Sequence, residues 1–98
     1  MADSITLIGF KDLDPSEIAR IEESIAKKLK KVNFKTENDG IRIELKQHKH
    51  AKEFIHEIKA ALFLKDKRLN ARAIDKNIYK ALDNLFDKIV SELEHKNK

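Results

Sequence analysis

Three histidines crowd the stretch HKHAKEFIH: His48, His50 and His56. If the segment is a strand, His48 and His50 share a face, and neutral imidazoles are zinc ligands. The sequence places no obvious carboxylate beside them, and a chain without cysteine has no thiolate to add. Exposed polar residues, close to phosphate if the partner is a nucleic acid, are the plainer expectation, with no metal and no cofactor. Asp83 and Asp87 stand one helical turn apart, the spacing of a carboxylate pair for acid–base work. They lack a cleft partner, and Lys80 and Lys88 beside them suggest local charge balancing. The only serines are Ser4, Ser16, Ser24 and Ser91, and no Ser-His-Asp arrangement, nucleophile elbow or Gly-rich phosphate loop can be assembled from the chain. The expectation is a non-enzyme with no small-molecule substrate.

Two basic clusters carry more information. Lys27, Lys28, Lys30, Lys31 and Lys35 form one run; Lys65, Lys67, Arg68, Arg72, Lys76 and Lys80 form a second, against only Asp66 and Asp75. Clusters of one sign raise the local potential and favour polyanions. A solvated, Lys-rich surface would look the same, and a formal net charge of +4 does not separate the two readings.

The elements that must hold these side chains fit into one small domain of 98 residues, 41% hydrophobic and 39% charged, with two Gly and one Pro. No apolar run approaches the roughly 20 residues that span a bilayer. The first ten residues, MADSITLIGF, lack the basic start and long apolar stretch of a signal peptide. A cytoplasmic protein without a membrane partner is expected, its polar C-terminus frayed over 94–98.

SITLIGF, residues 4–10, reads as a short strand ending at a Gly. DLDPSEI signals a helix start: Asp14 as N-cap, Pro15 at the first position, Glu17 completing a capping box. Ile18, Ile21, Ile25, Leu29 and Val32 then form an apolar stripe at helical spacing. Asn38, Asp39 and Gly40 supply a turn, and Ile41, Ile43 and Leu45 alternate with Arg42, Glu44 and Lys46, as in a sheet covered on one side. NIYKALDNLFDKIVSELEHK, residues 77–96, returns to helical spacing, with Ile78, Ala81, Leu82, Leu85, Ile89 and Leu93 on one face, Phe86 and Val90 widening it, and Asp75 or Asn77 as the cap. Tyr79 lies beside that stripe, where it covers the core edge.

Residues 51–74 remain. EFIHEIKAALFL reads as a helix with Phe54, Ile55, Ile58, Ala61 and Leu62 on one stripe. It reads equally as a strand with Ile58, Ala60, Leu62 and Leu64 on one face and Glu57, Lys59, Ala61 and Phe63 on the other. Propensity leans to helix. A lone strand at 41–46 needs partners, KDKR can turn the chain, and RLNARAI alternates. Pattern alone leaves both readings open. In the strand reading Phe63 and Ile74 point to the charged face, as a small stacking platform or as merely exposed groups.

KNIYKALDNLFDKI resembles the motif that opens the last helix of the ribosome hibernation-promoting factors, or ribosome-associated translation inhibitors. Asn77, Ile78, Tyr79, Ala81, Leu82, Asp83, Asp87 and Lys88 fit it in order. Gly9 after the first strand, and Glu22, Glu23, Lys28 and Leu29 in the first helix, are similar to that family as well. The family's longer members carry a further dimerisation domain, which this chain is too short to hold; Ser91, Glu92 and Glu94 make its last helix less basic than theirs.

The resemblance implies an α+β fold of order β-α-β-β-β-α, a four-stranded sheet with two helices on one face, similar to double-stranded-RNA-binding domains. It implies docking on the RNA of the small ribosomal subunit and a steric block of the decoding channel. Lys28 and Lys88 stand at matching family positions. Lys27, Lys31, Lys65, Lys67, Arg68, Arg72 and Lys80 join them from the charge clusters as expected RNA contacts. Two rivals stand beside this expectation: a helical or α+β self-associating module using Ile89, Val90 and Leu93, and a general RNA- or DNA-binding module. The sequence leaves open the oligomeric state and whether the two basic clusters share a face.

Overall fold

The computed structural model describes residues 4–96. Its elements run β1 (Ile5–Ile8), α1 (Pro15–Lys35), β2 (Ile41–His50), β3 (Glu53–Phe63), β4 (Arg68–Asp75) and α2 (Ile78–Lys96). The ambiguous stretch is a strand. It is central, pairing antiparallel with β2 on one side and β4 on the other, in a sheet of order β1-β2-β3-β4. β1 joins β2 in parallel, with Ile5 opposite Ile41 and Ile8 opposite Glu44.

The register explains why tertiary pairing overrides helix propensity here. Three cross-strand rows, Ile41–Leu62–Leu69, Ile43–Ala60–Ala71 and Leu45–Ile58–Ala73, put apolar side chains on one face of the sheet. Against that face lie Ile21, Ile25, Leu29 and Val32 of α1 and Leu82, Leu85 and Ile89 of α2, all fully buried. Ala60, Ala71 and Ala73 keep the sheet low where α2 crosses β3 and β4. Removing one of the large side chains would cost about 2–5 kcal/mol. Tyr79 is half-buried against this core, as expected.

The ends of the elements differ in detail from expectation. Asp14 and Pro15 stand where the sequence puts them, but the Asp14 side chain makes no capping bond; its carbonyl accepts from Glu17 N and Ile18 N at 2.9 Å instead. Asn77 caps α2, with Oδ1 accepting from Tyr79 N at 2.8 Å and Lys80 N at 3.3 Å, while Asp75 Oδ1 accepts from Asn77 N at 2.8 Å. In the turn before β2, Asn38 Oδ1 accepts from Gly40 N at 3.0 Å. Gly9 takes φ 83°, and a Cβ there would lie 2.3 Å from the Leu45 carbonyl oxygen. β2 continues to His50, beyond the expected strand, and α2 runs to Lys96; residues 97 and 98 of the expected tail lie outside the described residues.

Candidate nucleic-acid interface

Both helices run in the same direction, since Lys28 pairs with Asp83 and, further along each, Lys35 Nζ lies 3.4 Å from Glu94 Oε1. They end where β2 begins, because Lys35 is followed by the short turn into Ile41. The β3–β4 turn lies at this same end: Asp39 N donates to the Phe63 carbonyl at 2.7 Å and Phe63 N to that of Gly40 at 2.9 Å. That turn is closed by Leu64 N donating to the Lys67 carbonyl at 2.8 Å. One end of the molecule thus gathers Lys30 and Lys31 from α1 with Lys65, Lys67 and Arg68 from the turn. None of these five pairs with a carboxylate among the described residues.

Of the other expected contacts, all but Lys80 are held by the protein itself. Lys27 Nζ lies 3.8 Å from Glu23 on an exposed helix turn, a weak pair. Lys28 is engaged by Asp83, which the sequence had assigned to Lys80; Lys80 stands exposed on the same turn of α2. Lys88 Nζ donates to the Arg72 carbonyl at 2.6 Å. Arg72 itself lies on the uncovered face of the sheet, its Nε 2.6 Å from Glu57 Oε2. Lys76 belongs to the opposite end, 2.8 Å from Glu53, whose carboxylate holds the ammonium pKa above 10.5. The basic clusters therefore converge only in part.

Glu57 was invisible to sequence reasoning as a partner for the histidines. It is the carboxylate the sequence seemed to lack: His48 Nε2 lies 3.0 Å from its Oε1. Only the register, with Lys46 opposite Glu57, reveals it. The His48 hydrogen bond and then the Arg72 charge hold its pKa below 4.5, against the opposing effect of burial. His56 turns to the other face, Nδ1 2.9 Å from the Lys76 carbonyl. Among the described residues, no group of three or more His, Cys, Asp or Glu is arranged to hold a metal ion.

Phe34 was also missed. It is 92% exposed at the end of α1, next to Lys30 and Lys31, and the signal for it was its place off the apolar stripe. Ile74, expected on the charged face, is exposed there, and Phe63 is half-buried opposite Arg68. An open groove of about 490 Å³ between β4 and α2 is lined by Asn70, Arg72, Asp87, Lys88 and Glu92, whose charges balance. Ile89 and Leu93, which a self-associating module would need on its surface, are buried in the core, and the strand at 53–63 excludes an all-helical fold. No helix among the described residues is long and apolar enough to cross a membrane.

Comparison with known proteins adds to this geometry. The sequence profile of the family described as Sigma 54 modulation protein / S30EA ribosomal protein matches residues 6–98. Among solved structures, the chain is similar to a ribosomal subunit interface protein from Coxiella burnetii, with a TM-score of 0.67, 24% identity and 100% of each chain covered. It is also similar to the Protein Y N-terminal domain of Thermus thermophilus, with a TM-score of 0.62, 16% identity, and 97% of this chain and 98% of that one covered. At these identities the likeness is one of fold. Among proteins of curated function, none matches the chain by sequence.

Proposed function

The chain belongs to the Sigma 54 modulation protein / S30EA ribosomal protein family, a family of ribosome-associated modulators, and from that premise we propose that it docks on the RNA of the small ribosomal subunit and lowers translation by occupying the decoding channel. The observation that carries the reading is the end of the molecule where Lys30, Lys31, Lys65, Lys67 and Arg68 stand without carboxylate partners among the described residues. Ammonium and guanidinium groups gathered from two elements at one end of the molecule suit phosphates on a folded RNA surface, where contact gives affinity with little sequence selectivity. The mechanism is steric: the domain fills space, and no bond is made or broken. Lys30, Lys31, Lys65, Lys67 and Arg68 act directly, and Lys80, exposed in the first turn of α2, adds a contact from the opposite end. Lys27, Lys28, Lys88 and Arg72 reach phosphate by exchanging an internal partner for it.

Co-sedimentation with purified small subunits across a salt series tests this. The fraction bound should fall steeply with salt, and Lys65→Ala, Lys67→Ala and Arg68→Ala combined should reduce the log–log salt slope by roughly 2. Excess transfer RNA bound to the subunit should displace the protein. Binding insensitive to salt, or unaffected by transfer RNA in the decoding sites, would overturn the reading.

A further inference from the structure

We propose that the free end of the β2–β3 hairpin is a second RNA contact, in which Phe54 stacks on an unpaired base while Lys49 and Lys52 hold the flanking phosphates. That the polyanion is RNA rests on the ribosome reading above; the contact itself rests on the hairpin.

β2 and β3 outrun their neighbours. β1 ends opposite Glu44 and β4 ends opposite His56. The last three pairs, His48–Ile55, Lys49–Phe54 and His50–Glu53, are therefore a two-stranded ribbon with no strand on either side among the described residues. Such a ribbon is marginal by itself in water. The core stops at Ile58, so the extension buries little to sustain it. Its tip is strained as well: Ala51 takes φ 59°, a left-handed conformation that costs a residue with a Cβ about 1–2 kcal/mol.

Two side-chain ties keep the ribbon in place. Glu53 is tied to Lys76 at 2.8 Å, and His48 to Glu57 at 3.0 Å. They also remove its negative charge. With Glu53 engaged by Lys76, and Glu57 by Arg72 and His48, what remains is Lys46, Lys49 and Lys52, none with a carboxylate partner among the described residues. On this basic ribbon Phe54 is 53% exposed. Lys49 stands directly opposite it on the same face. An aromatic ring with an ammonium beside it offers a base a stacking surface and its phosphate a charge. An apolar protein partner would call for a continuous apolar patch, whereas Phe54 is ringed by Lys49 and His56. A base inside a duplex has both faces covered by its stacked neighbours, so the ligand is single-stranded.

The test uses the full chain and a fluorescein-labelled, mixed-sequence 12-nucleotide single-stranded RNA, read by anisotropy at low salt. Phe54→Ala should weaken binding about tenfold, Phe54→Leu nearly as much, and Phe54→Trp should keep it. Lys49→Ala with Lys52→Ala should weaken binding and flatten its salt dependence. A duplex of the same sequence should be indifferent to Phe54→Ala. Parental affinity in Phe54→Leu, or no measurable binding by the parent, would overturn the proposal. Sedimentation with small subunits, run on the same variants, separates this failure from that of the ribosome reading. Loss of sedimentation in Phe54→Ala with oligonucleotide affinity intact would assign the hairpin to a protein partner and overturn the RNA contact while the ribosome reading stands. A parent that ignores subunits but loses oligonucleotide affinity on Phe54→Ala would do the reverse.

Discussion

Lys28 on α1 and Asp83 on α2 form an ion pair that bridges the two helices across 55 residues of sequence. The side chain of Lys28 is 25% exposed and that of Asp83 59%, so the lysine lies low between the helices while the carboxylate stays accessible to water. A cation expected to reach RNA is thus held by its own protein, and only exchange of Asp83 for a phosphate releases it.

Replacing Asp83 with Asn removes that hold. Because the pair is partly solvated, Asp83→Asn should cost no more than about 1 kcal/mol of stability, read from a urea midpoint. The variant should sediment with small subunits to higher salt than the parent, because the phosphate no longer competes with a carboxylate. If Asp83→Asn and Lys28→Met both leave the salt profile unchanged, Lys28 serves only to join the helices.

Glu57 gives a pH-dependent stability. Its folded pKa lies below 4.5, first through the His48 hydrogen bond and then through Arg72. A depressed carboxylate stabilises the fold above its unfolded pKa, and the contribution disappears as pH falls through the folded value. The parent should therefore be more stable than Glu57→Gln at neutral pH, with the gap closing as the pH drops below 4.5. Denaturant melts at several pH values would check this; a gap that persists undiminished into strong acid would show that ionisation of Glu57 contributes nothing.

Gly9 tolerates no side chain. At φ 83°, with a Cβ destined to sit 2.3 Å from the Leu45 carbonyl oxygen, Gly9→Ala pays both backbone strain and a clash with main chain. We expect a loss of about 3 kcal/mol or more, visible as a lowered melting temperature. Ser91→Ala, on the exposed side of α2, should melt within about 0.5 kcal/mol of the parent and serve as the control.

Much of this was legible in the sequence, for physical reasons that differ from place to place. The two helices announce themselves because a half-buried helix must repeat its apolar residues every three or four positions, as Ile21, Ile25, Leu29 and Val32 do. β2 does so by alternation. β3 does not, because Ala60 and Ala61 carry no strand signal and gain their place only from partners far away in the chain; there, likeness to a known motif in the last helix supplied what periodicity lacked. The candidate interface was less legible. Charge runs mark Lys65, Lys67 and Arg68, but whether Lys28 or Arg72 is free depends on Asp83 and Glu57, which come near only once the strands are in register. Phe54 sits on the apolar stripe of the helix reading and is seen to lie outside the core only once the strand register ends that core at Ile58.

β4 is an edge strand, and its outward groups are set by the turn before it. With Leu64 and Lys67 bonded across the turn, Leu69, Ala71 and Ala73 direct their amides to β3, leaving those of Asn70, Arg72 and Ile74 to face outward. A row of outward-facing donors and acceptors beside the exposed Ile74 is a template on which a stray strand from another molecule could grow. Lys88 lies across the middle of that row, its ammonium on the Arg72 carbonyl. A positive charge parked on the rim makes edge-to-edge stacking costly, because any incoming strand must first displace it. At the opposite rim β1 offers only four residues, too short a template to matter. The same lysine proposed above to reach phosphate thus also stands in the way of edge-to-edge pairing between copies.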